Sequence, residues 1–166
     1  MWWVRTALLA VFAASLAGCG FEPLYGERAR AFDPMLASIY VESIPERDGQ
    51  LLAISLRDSF NPHRQPVETK YRLRVALIAS RREVAIRQDA TASRLQLETT
   101  ASWTLLPVGG GGPISGSARA ITSFDITDNE YANLVAEKDG RARLIREIGE
   151  EIRLGVRRSL MKQGTA

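Results

Sequence analysis

YRLRVALIA, residues 71–79, puts Tyr71, Leu73, Val75, Leu77 and Ala79 at odd positions, with Arg72 and Arg74 between them. Side chains alternate between the two faces of a strand, so this spacing predicts a strand with one buried and one wet face. The pattern recurs downstream. Leu95, Leu97, Ala101, Trp103 and Leu105 alternate with Arg94, Gln96, Glu98 and Thr100, and Thr99 interrupts the apolar series. Ile114, Ala118, Ala120, Phe124 and Ile126 mark a further run. Successive half-wet strands predict an antiparallel sheet. PVGGGGP, residues 107–113, separates the last two runs and reads as a hairpin tip. A glycine loop that cradles phosphate leads into a helix, whereas here a strand follows.

Upstream, SIYVESI, residues 38–44, is rich in β-branched and aromatic residues and predicts a short first strand ended by Pro45. Asp48 is placed to cap a helix beginning near Gly49, with Leu51, Leu52, Ile54 and Phe60 as a loose apolar stripe and Asn61-Pro62 as its stop. Residues 129–163 place Leu134, Ala142, Ile145, Ile148, Ile152, Val156 and Leu160 near helical spacing, which predicts a long amphipathic helix capped by Asp128. Arg143 with Glu147 and Arg146 with Glu150 are spaced to pair on its wet side, each pair contributing only about 0.2–0.5 kcal/mol. Gly140 marks an expected kink or break. Two amphipathic helices cannot cover both faces of such a sheet, and the strands offer one apolar face. The expected fold is therefore α+β: a two-layer sandwich, with a four-stranded, mainly antiparallel sheet and two helices packed on one face in the order β-α-β-β-β-α.

The first residues carry Arg5 ahead of an apolar run from Thr6 to Leu16. A charge, a short apolar run and then small residues form a secretory signal, and a run of that length falls short of the ~20 residues a spanning helix needs. Leu16-Ala17-Gly18-Cys19 resembles the lipobox of bacterial lipoproteins, which implies cleavage before Cys19 and lipid on its sulfur. Gly20 stands where many inner-membrane lipoproteins carry Asp, so the outer membrane is the expected destination. The domain plan is then 1–18 signal peptide, 19–36 lipidated tether containing Pro23, Gly26 and Pro34, and 37–163 one folded domain. Cys19 is the only cysteine, so no intramolecular disulfide is available and stability must come from burial. A net charge of +3, reduced once Arg5 is removed, is too mild for a nucleic-acid binder, and no nucleic-acid partner is expected.

Catalytic chemistry finds little to work with. His63, the single histidine, lies in the Pro-bounded stretch Asn61-Pro62-His63-Arg64-Gln65-Pro66 and reads as a solvated loop residue. GxSxG, HExxH and CxxC are missing, and one histidine with a lipidated cysteine cannot build a typical zinc site, so no metal, cofactor or catalytic residue is expected. Asp125, Asp128, Asn129 and Glu130 suit a helix start better than a cation site. Arg81, Arg82, Arg87 and Arg94 lie on or near one hairpin, where guanidinium groups could meet phosphate bidentately. They are the candidate contacts for an anionic glycolipid.

Two stretches carry a family resemblance. Cys19-Gly20-Phe21 followed by Pro23-Leu24-Tyr25-Gly26 is similar to the lipidated start of the lipopolysaccharide-assembly lipoprotein family LptE. Ser123-Phe124-Asp125, Asp128-Asn129, Ala132 and Ala136-Glu137-Lys138-Asp139 resemble that family's entry into its final helix. The resemblance implies a non-enzymatic outer-membrane lipoprotein, anchored on the periplasmic side, which plugs and helps assemble the LptD β-barrel and binds lipopolysaccharide. It assigns none of the four arginines. Two rivals remain at this point: an adaptor lipoprotein of another lipid transporter, and an envelope enzyme using carboxylates such as Asp125 and Glu130.

Overall fold

The computed structural model describes residue 3 and residues 34–64, 66–86 and 92–163. By internal contacts the chain divides into Met1–Ala31 and Phe32–Ala166, and the sheet and both long helices lie in the second unit. Cys19, the lipobox, most of the tether and Arg87 fall outside the described residues.

A helical turn at 34–37 leads into β1 (Ile39–Val41), α1 (Glu46–Phe60), β2 (Tyr71–Ile86), β3 (Ala92–Pro107), β4 (Ile114–Asp125) and α2 (Glu130–Gln163). The sheet order is β1-β2-β3-β4; β1 runs parallel to β2 and the remaining pairs are antiparallel. Parallel neighbours need a crossover rather than a hairpin, and α1 supplies it. The expected α+β order and mainly antiparallel sheet are what the chain adopts.

Register explains why the core sits on one side. Leu73 pairs with Leu105, Val75 with Trp103 and Leu77 with Ala101, and these partners continue across β4 to Ile114, Gly116 and Ala118. Paired residues share a face, so the odd-numbered apolar series of β2 and β3 meets the even-numbered series of β4. α2 packs on β4 and β3, while α1 packs on α2 and β1. Leu52, Leu56, Ile148, Ile152 and Val156 from the helices are fully buried with Leu73, Leu95 and Leu105 from the sheet. Thr99, which interrupts the apolar series, is buried as well, and every buried side-chain polar atom among the described residues has a partner.

Several local expectations change. α1 begins at Glu46 behind Pro45, with no side-chain cap, so Asp48 lies inside the first turn rather than at the cap. There its carboxylate faces the positive end of the helix dipole. α2 runs unbroken through Gly140, whose missing Cβ admits Thr122 and Leu97: an ideal Cβ would lie 3.3 Å from Thr122 Cγ2. The glycine permits close approach instead of a kink. Leu134, expected on the packed stripe, is 66% exposed. Arg143 pairs with Asp139 at 3.1 Å, and Glu150 pairs with Arg153 at 2.7 Å, in place of the two expected pairs.

The cap of α2 also shifts by one residue. Asn129 Oδ1 accepts the Ala132 N–H at 3.1 Å, and Asn133 ties the chain before the helix by accepting the Thr127 N–H at 2.9 Å and donating to the Thr127 carbonyl at 2.8 Å. Removing a capping Asn costs about 1 kcal/mol, with a range of about 0.5–2. Asn129→Ala is expected to lower the unfolding free energy, measured by denaturant titration, by that amount, and Asp128→Ala by much less. The reverse order would return the cap to Asp128.

Candidate functional site

Of the candidate arginines, Arg81 and Arg82 lie near the end of β2 and Arg94 near the start of β3. Their neighbours decide what each can reach. Arg81 pairs in register with Leu97, on the helix-covered face, whereas Arg82 pairs with Gln96 and Arg94 with Asp125, on the open face. The hairpin therefore holds Arg81, Arg82 and Arg94 close in the chain but divides them between the two sides of the sheet.

On the helix side, Arg81 Nη1 lies 3.5 Å from Glu137 Oε2. Glu137 Oε1 accepts from Arg141 Nη2 at 2.7 Å and Nε at 3.2 Å, and Arg141 Nη1 reaches Asp48 at 3.5 Å. Alternating charges thus link the hairpin, α2 and the first turn of α1. The hydrogen bond to Glu137 raises the Arg141 pKa above its ordinary value.

Beside this network lies a cleft of about 540 Å³ between the sheet end and the first turns of α2. Leu95, Phe124, Ile126, Tyr131 and Leu134 line it together with the polar Arg81, Glu130, Asn133 and Glu137. The volume falls within the range of small-molecule sites, about 300–1,000 Å³. The cleft was missed in the sequence because Leu134 fits the helical stripe as well as any core residue. The parity running from Tyr71 through Leu73 and Val75 does carry the signal for Arg81, since it places position 81 on the same side.

The open face carries ion pairs. Arg94 Nε donates to Asp125 Oδ1 at 2.8 Å, and Arg119 Nε donates to Glu98 Oε1 at 2.7 Å. The Arg94 hydrogen bond holds the Asp125 carboxyl below its usual range; the Arg119 hydrogen bond does the same for Glu98, where the field of Arg82 also helps. A carboxylate whose pKa is lower folded than unfolded contributes stability above its unfolded pKa and loses it as pH falls through the folded one. The pairs are exposed, so the effect is small and screened by salt. Thermal stability followed through the acidic range is expected to fall less steeply for Glu98→Gln than for the wild-type chain, with the difference shrinking at high salt. An identical acid slope in both would show that the pair is not formed.

The remaining candidates lie away from this cleft. His63 is exposed in the loop after α1. Gly110 and Gly111 have φ of 95° and 127° in the turn before β4, a conformation glycine adopts without cost. Among the described residues no group of acidic or histidine side chains could hold a metal, and no helix is long and apolar enough to cross a membrane.

Comparison with known proteins places these features in context. The family described as "LptE: Lipopolysaccharide-assembly" matches residues 36–154. A crystal structure of a lipoprotein from Caulobacter crescentus CB15 is similar at 28% identity and a TM-score of 0.61, covering 80% of this chain and 97% of that one. Rare lipoprotein B from Shewanella oneidensis shares the fold at 10% identity and a TM-score of 0.61, covering 76% and 98%. Lipoprotein B from Nitrosomonas europaea, solved by NMR, does so at 13% identity and a TM-score of 0.52, covering 69% and 77%. A search of curated proteins finds no match.

Proposed function

Because the chain belongs to the lipopolysaccharide-assembly family LptE, we propose that it is cut before Cys19, held by lipid on the periplasmic face of the outer membrane, and seated as a plug in an LptD-type β-barrel. There it helps the barrel assemble and binds lipopolysaccharide on its way to the outer leaflet. Family membership also removes one rival, since LptE proteins are transport lipoproteins rather than enzymes. Asp125, one of the carboxylates an enzyme would have needed, is engaged by Arg94.

The match over residues 36–154, which takes in the whole sheet and most of α2, carries this reading. The geometry supports it in two ways. The open face is lined by Ser, Thr, Arg and paired carboxylates, suited to the polar lumen of a barrel. The hairpin end sets the Arg81 guanidinium beside a cleft partly lined by apolar side chains, as an anionic amphiphile requires. Arg81, Arg82, Arg87 and Arg94 are the proposed source of the cationic contacts.

Affinity capture of the tagged full chain in mild detergent is expected to bring down a large outer-membrane β-barrel. Capture of an inner-membrane transporter instead would favour the adaptor role, and capture of no barrel overturns the plug. The mass of the mature protein is expected to show acyl groups on Cys19. A bare thiol on a chain still carrying residues 1–18 would remove the anchor.

A further inference from the structure

The cleft beside α2 sets the apolar side chains of Phe124, Ile126, Tyr131 and Leu134 among the polar groups of Arg81, Glu130, Asn133 and Glu137. Leu95, which also lines it, is fully buried, while Tyr131 and Leu134 are 75% and 66% exposed. Single exposed hydrophobic residues are ordinary, but two on adjoining turns lining one cleft are arranged to receive something. Arg81 lines the same cleft.

Arg81 is poised to change partners. Its side chain is 59% exposed and meets Glu137 only at 3.5 Å, whereas Glu137 takes two shorter bonds from Arg141. If Arg81 turns away, Glu137 keeps its stronger partner and no carboxylate is left uncompensated. Glu130, also on the rim, sits at the positive end of the α2 dipole, which offsets its charge. A released guanidinium can grip a phosphate through two parallel hydrogen bonds.

We infer that the cleft takes an acyl chain of a phosphorylated glycolipid while a phosphate of the same molecule replaces Glu137 on Arg81. This rests on the lipopolysaccharide reading above and adds which part of that molecule lies where. Burial against Phe124, Ile126, Tyr131 and Leu134 supplies the attraction, and Arg81 fixes the orientation. The open face takes no part in this contact.

The test measures binding of the purified full chain to lipopolysaccharide, to the same material with its ester-linked chains removed by mild alkali, and to dephosphorylated material. Deacylation is expected to weaken binding by roughly tenfold or more. Leu134→Asp changes an exposed side chain, so the fold survives, as circular dichroism will verify. It is expected to weaken binding of intact lipopolysaccharide and leave the deacylated form unaffected. Arg81→Ala is expected to lose roughly tenfold against the intact form and little against the dephosphorylated form, because the removed groups are partners. Arg72→Ala, on the open face near the start of β2, is expected to change nothing. Equal binding of intact and deacylated forms, or full binding by Leu134→Asp, overturns the cleft while leaving lipopolysaccharide recognition in place. A wild-type chain that binds none of the three overturns both.

Discussion

Trp103→Ala is expected to destabilise the fold by about 3–5 kcal/mol, a large part of the roughly 5–15 kcal/mol that holds a domain together. Trp103 is 4% exposed in the middle of β3, and its indole fills a slot between the sheet and α2. An ideal Cβ on Gly116, its neighbour in β4, would stand 2.3 Å from Trp103 Cζ2, and one on Gly155 of α2 would stand 2.9 Å from the same atom. Both glycines make room for the ring. Gly116→Ala should therefore force it aside, at about 1–3 kcal/mol for overpacking. Once Trp103 has been replaced by Ala, the same substitution should cost much less, because the obstruction has gone. Denaturant midpoints of the two single variants and the double variant decide the matter: an unchanged cost for Gly116→Ala in both backgrounds would mean that the ring does not occupy the slot.

Leu52→Asp is expected to be still more damaging and to leave little folded protein. Leu52 is fully buried where α1 meets α2, and its Cδ1 would lie 3.5 Å from a Cβ on Gly149. Leaving a charge without a partner at such a place costs several kcal/mol, or forces the carboxyl to take up a proton. Raising the pH should therefore worsen the defect, since ionisation is what the surroundings oppose. Leu51, the preceding residue, is 46% exposed, and Leu51→Asp should change stability by no more than about 0.5 kcal/mol. Chemical denaturation that finds the two variants alike would contradict the packing of α1.

The sequence made the middle of each strand legible because alternation is strongest where one face is covered. At the ends the signal fades: Ser80, Arg81, Arg82 and Glu83 are polar in succession, and all four are exposed. The apolar residues that follow, Val84, Ala85 and Ile86, do not resume the alternation, and the register shifts there. The β-branched and aromatic stretch 38–44 predicts a longer β1, yet only Ile39–Val41 finds a partner strand. Glycine was ambiguous for a related reason. At position 140 it reads equally as a weak point or as room for a neighbour, and only the packing of Thr122 and Leu97 chooses between them. The arginines were legible as a group along the chain; their division depended on parity carried forward from Tyr71. The cleft was not legible, because it arises where two distant elements fail to close over one another.

The parallel pairing of β1 with β2 imposes an order of events on folding. β2, β3 and β4 join neighbours through hairpins and can zip up from local contacts, which form quickly. Ile39–Val41 has no such shortcut. Although it leaves the ribosome ahead of the other strands, its ladder waits for Tyr71–Leu73 to arrive and for α1 to bridge the gap. The stretch closest to the N-terminus is thus synthesised early and locked late, so a chaperone that shields the nascent polypeptide has a defined interval in which to hold it.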